Sequence, residues 1–118
     1  MAKPIEEEIQ STNFRNVHHK AALNVIVTAN WIHYHGLAIF KKYELSAQQY
    51  NVLRILRGQF PNPCTLLSIK ERMLDKVSDT SRIVERLKQA GLVERVLCES
   101  DRRAVDVKIS KKGLDLLN

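Results

Sequence analysis

Glycine and proline are scarce in this chain, with four and three among 118 residues. Few helix breakers over that length imply long helices. Two cysteines, Cys64 and Cys98, are too few for a disulfide framework in a domain of this size, so a reducing compartment is the simpler reading. No apolar run approaches the ~18 residues that a membrane span needs. The opening stretch carries Glu6, Glu7 and Glu8 in succession, which is wrong for a secretory or transit signal, and a cytoplasmic protein is expected. Internal repeats and low-complexity stretches are missing. So are a nucleophile–base pair, a glycine-rich phosphate loop and paired carboxylates, and the small core leaves little room for a substrate cleft; an enzyme is not expected. Of the four histidines, His18–His19 are adjacent and His33–His35 are two apart. Neither pair has the i, i+4 spacing that puts two ligands on one helical face. No metal and no cofactor are therefore expected.

What the chain does have is one domain's worth of length, 44% hydrophobic and 27% charged residues, and a formal charge of +6. A basic balance favours an anionic partner, nucleic acid above all. The excess sits in the second half: Lys70 to Lys112 holds twelve Lys/Arg against eight Asp/Glu, while Met1 to Leu45 holds five against four.

Helical periodicity runs from about Ile9 to Lys42, with Val25, Ala29 and Ile32 on one stripe. The β-branched run Val25-Ile26-Val27-Thr28 would suit a strand, but neither flank offers a turn. A helix of about 30 residues in so small a chain cannot bury its whole face internally, so it is expected to pack on a partner chain. Ser46-Ala47-Gln48-Gln49 is a capping box, and Tyr50, Leu53, Ile55 and Leu56 follow on a helix that Pro61 and Pro63 end. Thr65 caps a short helix from Leu66 to about Leu74, with Leu66, Leu67, Ile69, Met73 and Leu74 inward. After Asp75-Lys76-Val77 comes a helix from about Ser78 to Ala90, closed by Gly91 in the left-handed C′ position. Thr80, Ile83, Val84 and Leu87 face its core side; Ser81, Arg82, Glu85, Arg86 and Gln89 point out. Leu92–Cys98 and Ala104–Ile109 read as two strands around the polar tip Glu99-Ser100-Asp101-Arg102-Arg103. Ser110 caps a final stub that stops after barely two turns, as if the chain were cut short.

This order predicts a mainly α fold with a small β-hairpin: a winged helix-turn-helix with a long N-terminal helix. The expected divisions are 1–45 for the long helix, which would serve dimerisation and a pocket, 46–110 for the DNA-binding domain, and 111–118 for the start of a truncated C-terminal helix. The Ser78–Ala90 helix is the candidate recognition helix, whose N-terminal residues would reach base edges in the major groove. Ser78, Asp79, Ser81 and Arg82 would stand there, Arg82 suiting guanine O6 and N7, while Arg86, one turn on, suits a phosphate. Asp79 either caps the helix or accepts from cytosine N4. Arg102 and Arg103 at the hairpin tip suit a minor groove, whose negative potential attracts guanidinium. Asp101 would position an arginine by ion pairing.

From Thr65 to Leu117 the chain resembles the MarR family of bacterial transcriptional regulators. The residues that carry the resemblance are Arg82-Ile83-Val84-Glu85-Arg86-Leu87, Gly91-Leu92-Val93-Glu94-Arg95, Asp101-Arg102-Arg103-Ala104-Val105, and Ile109-Ser110 with Lys112-Gly113. Ser46 to Leu53 also looks like that family's second helix, whereas residues 1–45 match only in being a long helix. The resemblance implies that Arg103, two after the wing aspartate, enters the minor groove, and that Asp101 braces Arg82 or Arg86. It implies a homodimer on a pseudo-palindromic double-stranded operator, acting as a repressor or activator, with release by a small phenolic or other effector. The pocket would lie between the first helices and the DNA-binding lobe, where Trp31, Tyr34, His35 and Tyr50 are the candidates; packing of the long helix is the other use for these side chains. Family dimers use both chain ends, and the C-terminal helices are absent or nearly so here. Either the chain is a fragment, or residues are left out, or the first helix carries dimerisation alone. The family's peroxide sensors carry a cysteine on the first helix, where this chain has none. Cys64 sits before a helix N-terminus, where the dipole can lower a thiol pKa, and Cys98 ends a strand. The competing function is a winged-helix protein-interaction module without specific DNA binding, from which steep salt dependence of duplex binding would distinguish a regulator.

Overall fold

Ser46 opens the helix around which the second half of the molecule is assembled. In a computed structural model, which describes residues 3–97 and 105–118, its hydroxyl accepts the Gln49 N–H at 3.1 Å while the Gln49 side chain accepts the Ser46 N–H at 2.8 Å. That reciprocal cap satisfies two N–H groups a helix start leaves without partners. The elements in chain order are α1 (Ile5–Glu8), α2 (Val17–Lys42), α3 (Ala47–Gln59), β1 (Cys64–Thr65), α4 (Leu66–Arg72), α5 (Thr80–Gln89), β2 (Val93–Leu97), β3 (Val105–Ile109) and α6 (Lys111–Leu117). They divide into two compact units, Met1–Ile39 and Phe40–Asn118.

In the first unit the expected helix from Ile9 is interrupted. α1 is a single turn, Gln10 takes a left-handed φ of 53°, and α2 begins only at Val17. The physical reason lies in Gln10-Ser11-Thr12-Asn13, a run without an apolar anchor, followed by Asn16. The Asn16 side-chain oxygen accepts the His19 N–H at 2.9 Å, the geometry of an N-cap. Lys20 pairs with Glu6 at 2.5 Å and lies 5.4 Å from the Phe14 ring, tying the N-terminal strap to α2. The Lys20 hydrogen bond, with help from a backbone bond within Glu6, holds the Glu6 carboxyl below its usual range. Along α2 the apolar stripe stays open: Val25 and Ile32 are 69% and 60% exposed, and with Asn24, Thr28 and Ala29 they line a shallow groove.

The second unit is a helical cluster on a small antiparallel sheet of order β1-β3-β2. β2 and β3 form the expected hairpin, in register Val93↔Ile109 through Leu97↔Val105. The third strand was not expected: Cys64 and Thr65 pair with Val107 and Asp106, and two residues are too few to show an alternating pattern. The core draws Val52, Leu53 and Leu56 from α3, Ile69 and Met73 from α4 and its end, Val84 and Leu87 from α5, and Leu92, Val93, Val107 and Ile109 from the hairpin. Leu67 and Leu74, expected inward, are instead 65% and 88% exposed. α4 ends at Arg72 rather than Leu74, and a two-turn helix has one buried edge, which Ile69 fills.

α5 ends as expected. Gly91 takes φ 77°, the Gly91 N–H bonds the Lys88 carbonyl at 2.9 Å, and the Leu92 N–H reaches back to the Leu87 carbonyl at 3.0 Å. This is the Schellman pattern, for which a residue without Cβ is favoured at C′. Ser110 then joins two elements: its hydroxyl donates to the Gly91 carbonyl at 2.7 Å and accepts the Gly113 N–H at 3.1 Å, capping α6. Leu114, Leu116 and Leu117 pack from α6 onto the core.

Candidate nucleic-acid interface

α4, the connection 73–79 and α5 form a helix-turn-helix, and the turn is held by side chains. The Asn51 amide oxygen on α3 accepts the Leu74 N–H at 2.9 Å, and the Asp75 carboxylate accepts the Val77 N–H at 3.0 Å. Lys76 donates to the Glu71 carbonyl. Asp79 then starts α5, its carboxylate accepting the Arg82 N–H at 3.2 Å. Of the two roles open to Asp79, the structure shows the cap. A negative group also suits the positive end of a helix. The helix starts at Thr80, two residues later than expected, because Ser78 and Asp79 are spent on the turn and the cap.

Burial fixes the rotation of α5. Thr80, Val84 and Leu87 are buried and Ile83 is half-buried, so Ser81, Arg82, Arg86 and Gln89 are left exposed. Ser78 is half-buried, and its hydroxyl has no partner among the described residues. Ser78, Asp79, Arg82 and Arg86 come together at an open depression of about 380 Å³, whose opposite wall is the N-terminus of α3 with Ser46, Gln48 and Gln49. Asp75 and Asp79 line it as well, so the two guanidinium groups are balanced there by two carboxylates. Glu85 shares the outward side but pairs with Arg95 of β2 at 2.6 Å. The expected positions Arg102, Arg103 and Asp101, with Cys98, lie outside the described residues.

Trp31, Tyr34 and His35 belong to the first unit and Tyr50 to the second. Trp31 and His35 stack with centroids 4.0 Å apart, and the His35 Nδ1 lies 2.9 Å from the Trp31 carbonyl. Tyr34 meets the His35 ring edge-on at 5.5 Å, while Tyr50 packs 5.1 Å from Phe40. Cys64 belongs to the core cluster. It is 6% exposed, and burial pushes its thiol pKa up; the Arg72 charge opposes this and the Asp106 charge adds to it. A desolvated thiol resists ionisation. Among the described residues no group of three or more His, Cys, Asp or Glu could hold a metal ion, and no helix is long and apolar enough to cross a membrane.

Sequence reasoning missed Asn51 and Arg95. Nothing local marks either one: Asn51 is one polar residue in a helix, and Arg95 one charge in a strand. Their partners are 23 and 10 positions away, so only the fold pairs them.

The model of the MarR family matches residues 45–105, which is the whole helix-turn-helix and most of the hairpin. The chain is 32% identical over 81 residues to the HTH-type transcriptional regulator PecS of Dickeya dadantii, covering 68% of this chain and 49% of PecS. It is 30% identical over 83 residues to the HTH-type transcriptional regulator MgrA of Staphylococcus aureus, covering 68% and 53%. The chain thus spans about half the length of the curated relatives it matches. Among solved structures, a MarR transcription factor from Planctomyces limnophilus superposes with a TM-score of 0.74 at 35% identity, over 89% of this chain and 76% of the other.

Proposed function

The chain belongs to the MarR family, and from that membership and the geometry of α5 we propose that it is a sequence-specific, double-stranded DNA-binding transcriptional regulator. The observation that carries the reading is the orientation of α5. Its inward residues Thr80, Val84 and Leu87 are sealed in the core, so Ser81, Arg82 and Arg86 stand on the exposed face. An exposed helix of this kind fits the major groove. Ser78, Ser81 and Arg82 would meet base edges there and Arg86 a phosphate, with Asp79 serving as the cap. The wing arginines Arg102 and Arg103 would reach the minor groove, with Asp101 bracing Arg82 or Arg86.

The reading includes a homodimer on a pseudo-palindromic operator; the open stripe of Val25, Ala29 and Ile32 supports the pairing of two chains, because an apolar face of that kind is covered in a stable assembly. In this reading residues 1–45 serve dimerisation and the pocket, 46–110 bind DNA, and 111–118 begin the C-terminal helix. Trp31, Tyr34, His35 and Tyr50 would serve a small phenolic or other effector that releases DNA. The protein would act in the cytoplasm as a repressor or activator, without catalysis.

The test is a binding-site selection on genomic fragments, followed by duplex titration at several salt concentrations. The expected result is an enriched inverted repeat whose affinity falls steeply with salt, since each phosphate contact releases counterions. Arg103→Ala should weaken binding by about 1–3 kcal/mol. Failure to enrich any motif, with weak and salt-insensitive duplex binding, would overturn the reading in favour of a protein-interaction module.

A further inference from the structure

α5 and its cap carry two carboxylates, an awkward load for a helix that is to lie among phosphates. Both are engaged. Asp79 accepts the Arg82 N–H as the N-cap, next to the positive end of the helix dipole. Glu85 is different, because nothing in α5 itself holds it. It stands three residues after Arg82 and four after Ser81, on the same outward side, where i, i+3 neighbours meet. An uncommitted Glu85 would have two effects on DNA binding: it would repel a nearby phosphate, and it would draw Arg82 back along the helix into an intrahelical pair. Arg95 prevents both. From the middle of β2, its Nη2 donates to the Glu85 Oε2 at 2.6 Å.

We propose that Arg95 is a positioning residue for DNA recognition, which holds Glu85 so that the carboxylate neither faces the phosphates nor captures Arg82. The inference rests on the DNA-binding reading above. It differs from a stability role, because both side chains are more than 40% exposed, and a pair so open to water contributes little to folding.

The test compares Arg95→Ala, Glu85→Gln and the double variant with the unaltered protein, on a duplex selected by the unaltered protein. Arg95→Ala should bind about fivefold to tenfold more weakly, the size of one unscreened like charge near a phosphate at an intermediate dielectric. Adding Glu85→Gln should bring affinity back to within about twofold of the starting value, because the offending charge is then gone. Glu85→Gln alone should bind as well as or more tightly than the unaltered chain, and melting temperatures should stay together across the set. A double variant as weak as Arg95→Ala would overturn the proposal and make Arg95 a direct phosphate contact. Arg95→Ala at full affinity would overturn it as well. Absence of salt-dependent duplex binding by the unaltered protein would sink the DNA-binding reading first, a result separable from both.

Discussion

The amide oxygen of Asn51 accepts the backbone N–H of Leu74 at 2.9 Å, so the middle helix of the domain holds the turn that aims α5. That N–H follows the end of α4, where no intrahelical acceptor remains for it. Asn51→Ala should therefore cost about 1 kcal/mol of stability, the usual worth of one such bond at a partly exposed site. Chemical denaturation would measure it. The same variant should lose more duplex affinity than a cap variant of equal stability outside the depression, such as Thr65→Ala, because only the former loosens the turn before α5. Equal losses in the two would count against an aiming role for Asn51.

Gly113 is buried in α6 where the helix crosses the start of the hairpin. A Cβ there would collide with the Leu92 carbonyl and come within 2.7 Å of the Ile109 Cγ1. Both neighbours are held, Leu92 by the α5 cap and Ile109 by the core. Gly113→Ala should destabilise the chain by roughly 1–3 kcal/mol, the range for overpacking a filled site, despite alanine's better helix propensity. A melting curve that rises would refute this close approach.

Cys64 makes a prediction with a definite sign. Its folded pKa is raised, chiefly by burial. In the window above the ordinary thiol range, the unfolded chain therefore releases a proton that the folded chain keeps. Stability from this group is complete below that window and declines as pH rises through it. In a Cys98→Ser background, Cys64 should resist a thiol reagent at neutral pH and react only as the domain unfolds. Rapid labelling of the native protein would show that the thiol is not sequestered.

Arg82→Ala should leave folding intact, since the residue is exposed, and should relax base preference at one operator position by about 1–3 kcal/mol. A repeated binding-site selection would reveal it. An identical motif would remove Arg82 from base recognition.

The chain's order of elements was legible in the residues because the signals are local. Ser46 and Gln49, Thr65, Gly91 and Ser110 each punctuate a helix within four positions, and Thr80, Val84 and Leu87 mark the inner face of α5 by spacing alone. Two local signals were misread. The apolar periodicity before α2 ran past Asn16, whose side chain caps the true start, and Leu67 and Leu74 kept helical spacing beyond the one edge α4 buries. By itself, then, the sequence determined a winged helix-turn-helix, most of its helix caps and the exposed face of α5, because backbone hydrogen bonding and burial periodicity act over one or two turns. Only the tertiary structure decided that Cys64 and Thr65 form a third strand, that Asn51 holds the turn and that Arg95 engages Glu85. Those contacts join residues far apart in the chain, and their geometry exists only once the core has set the helices and the sheet against one another.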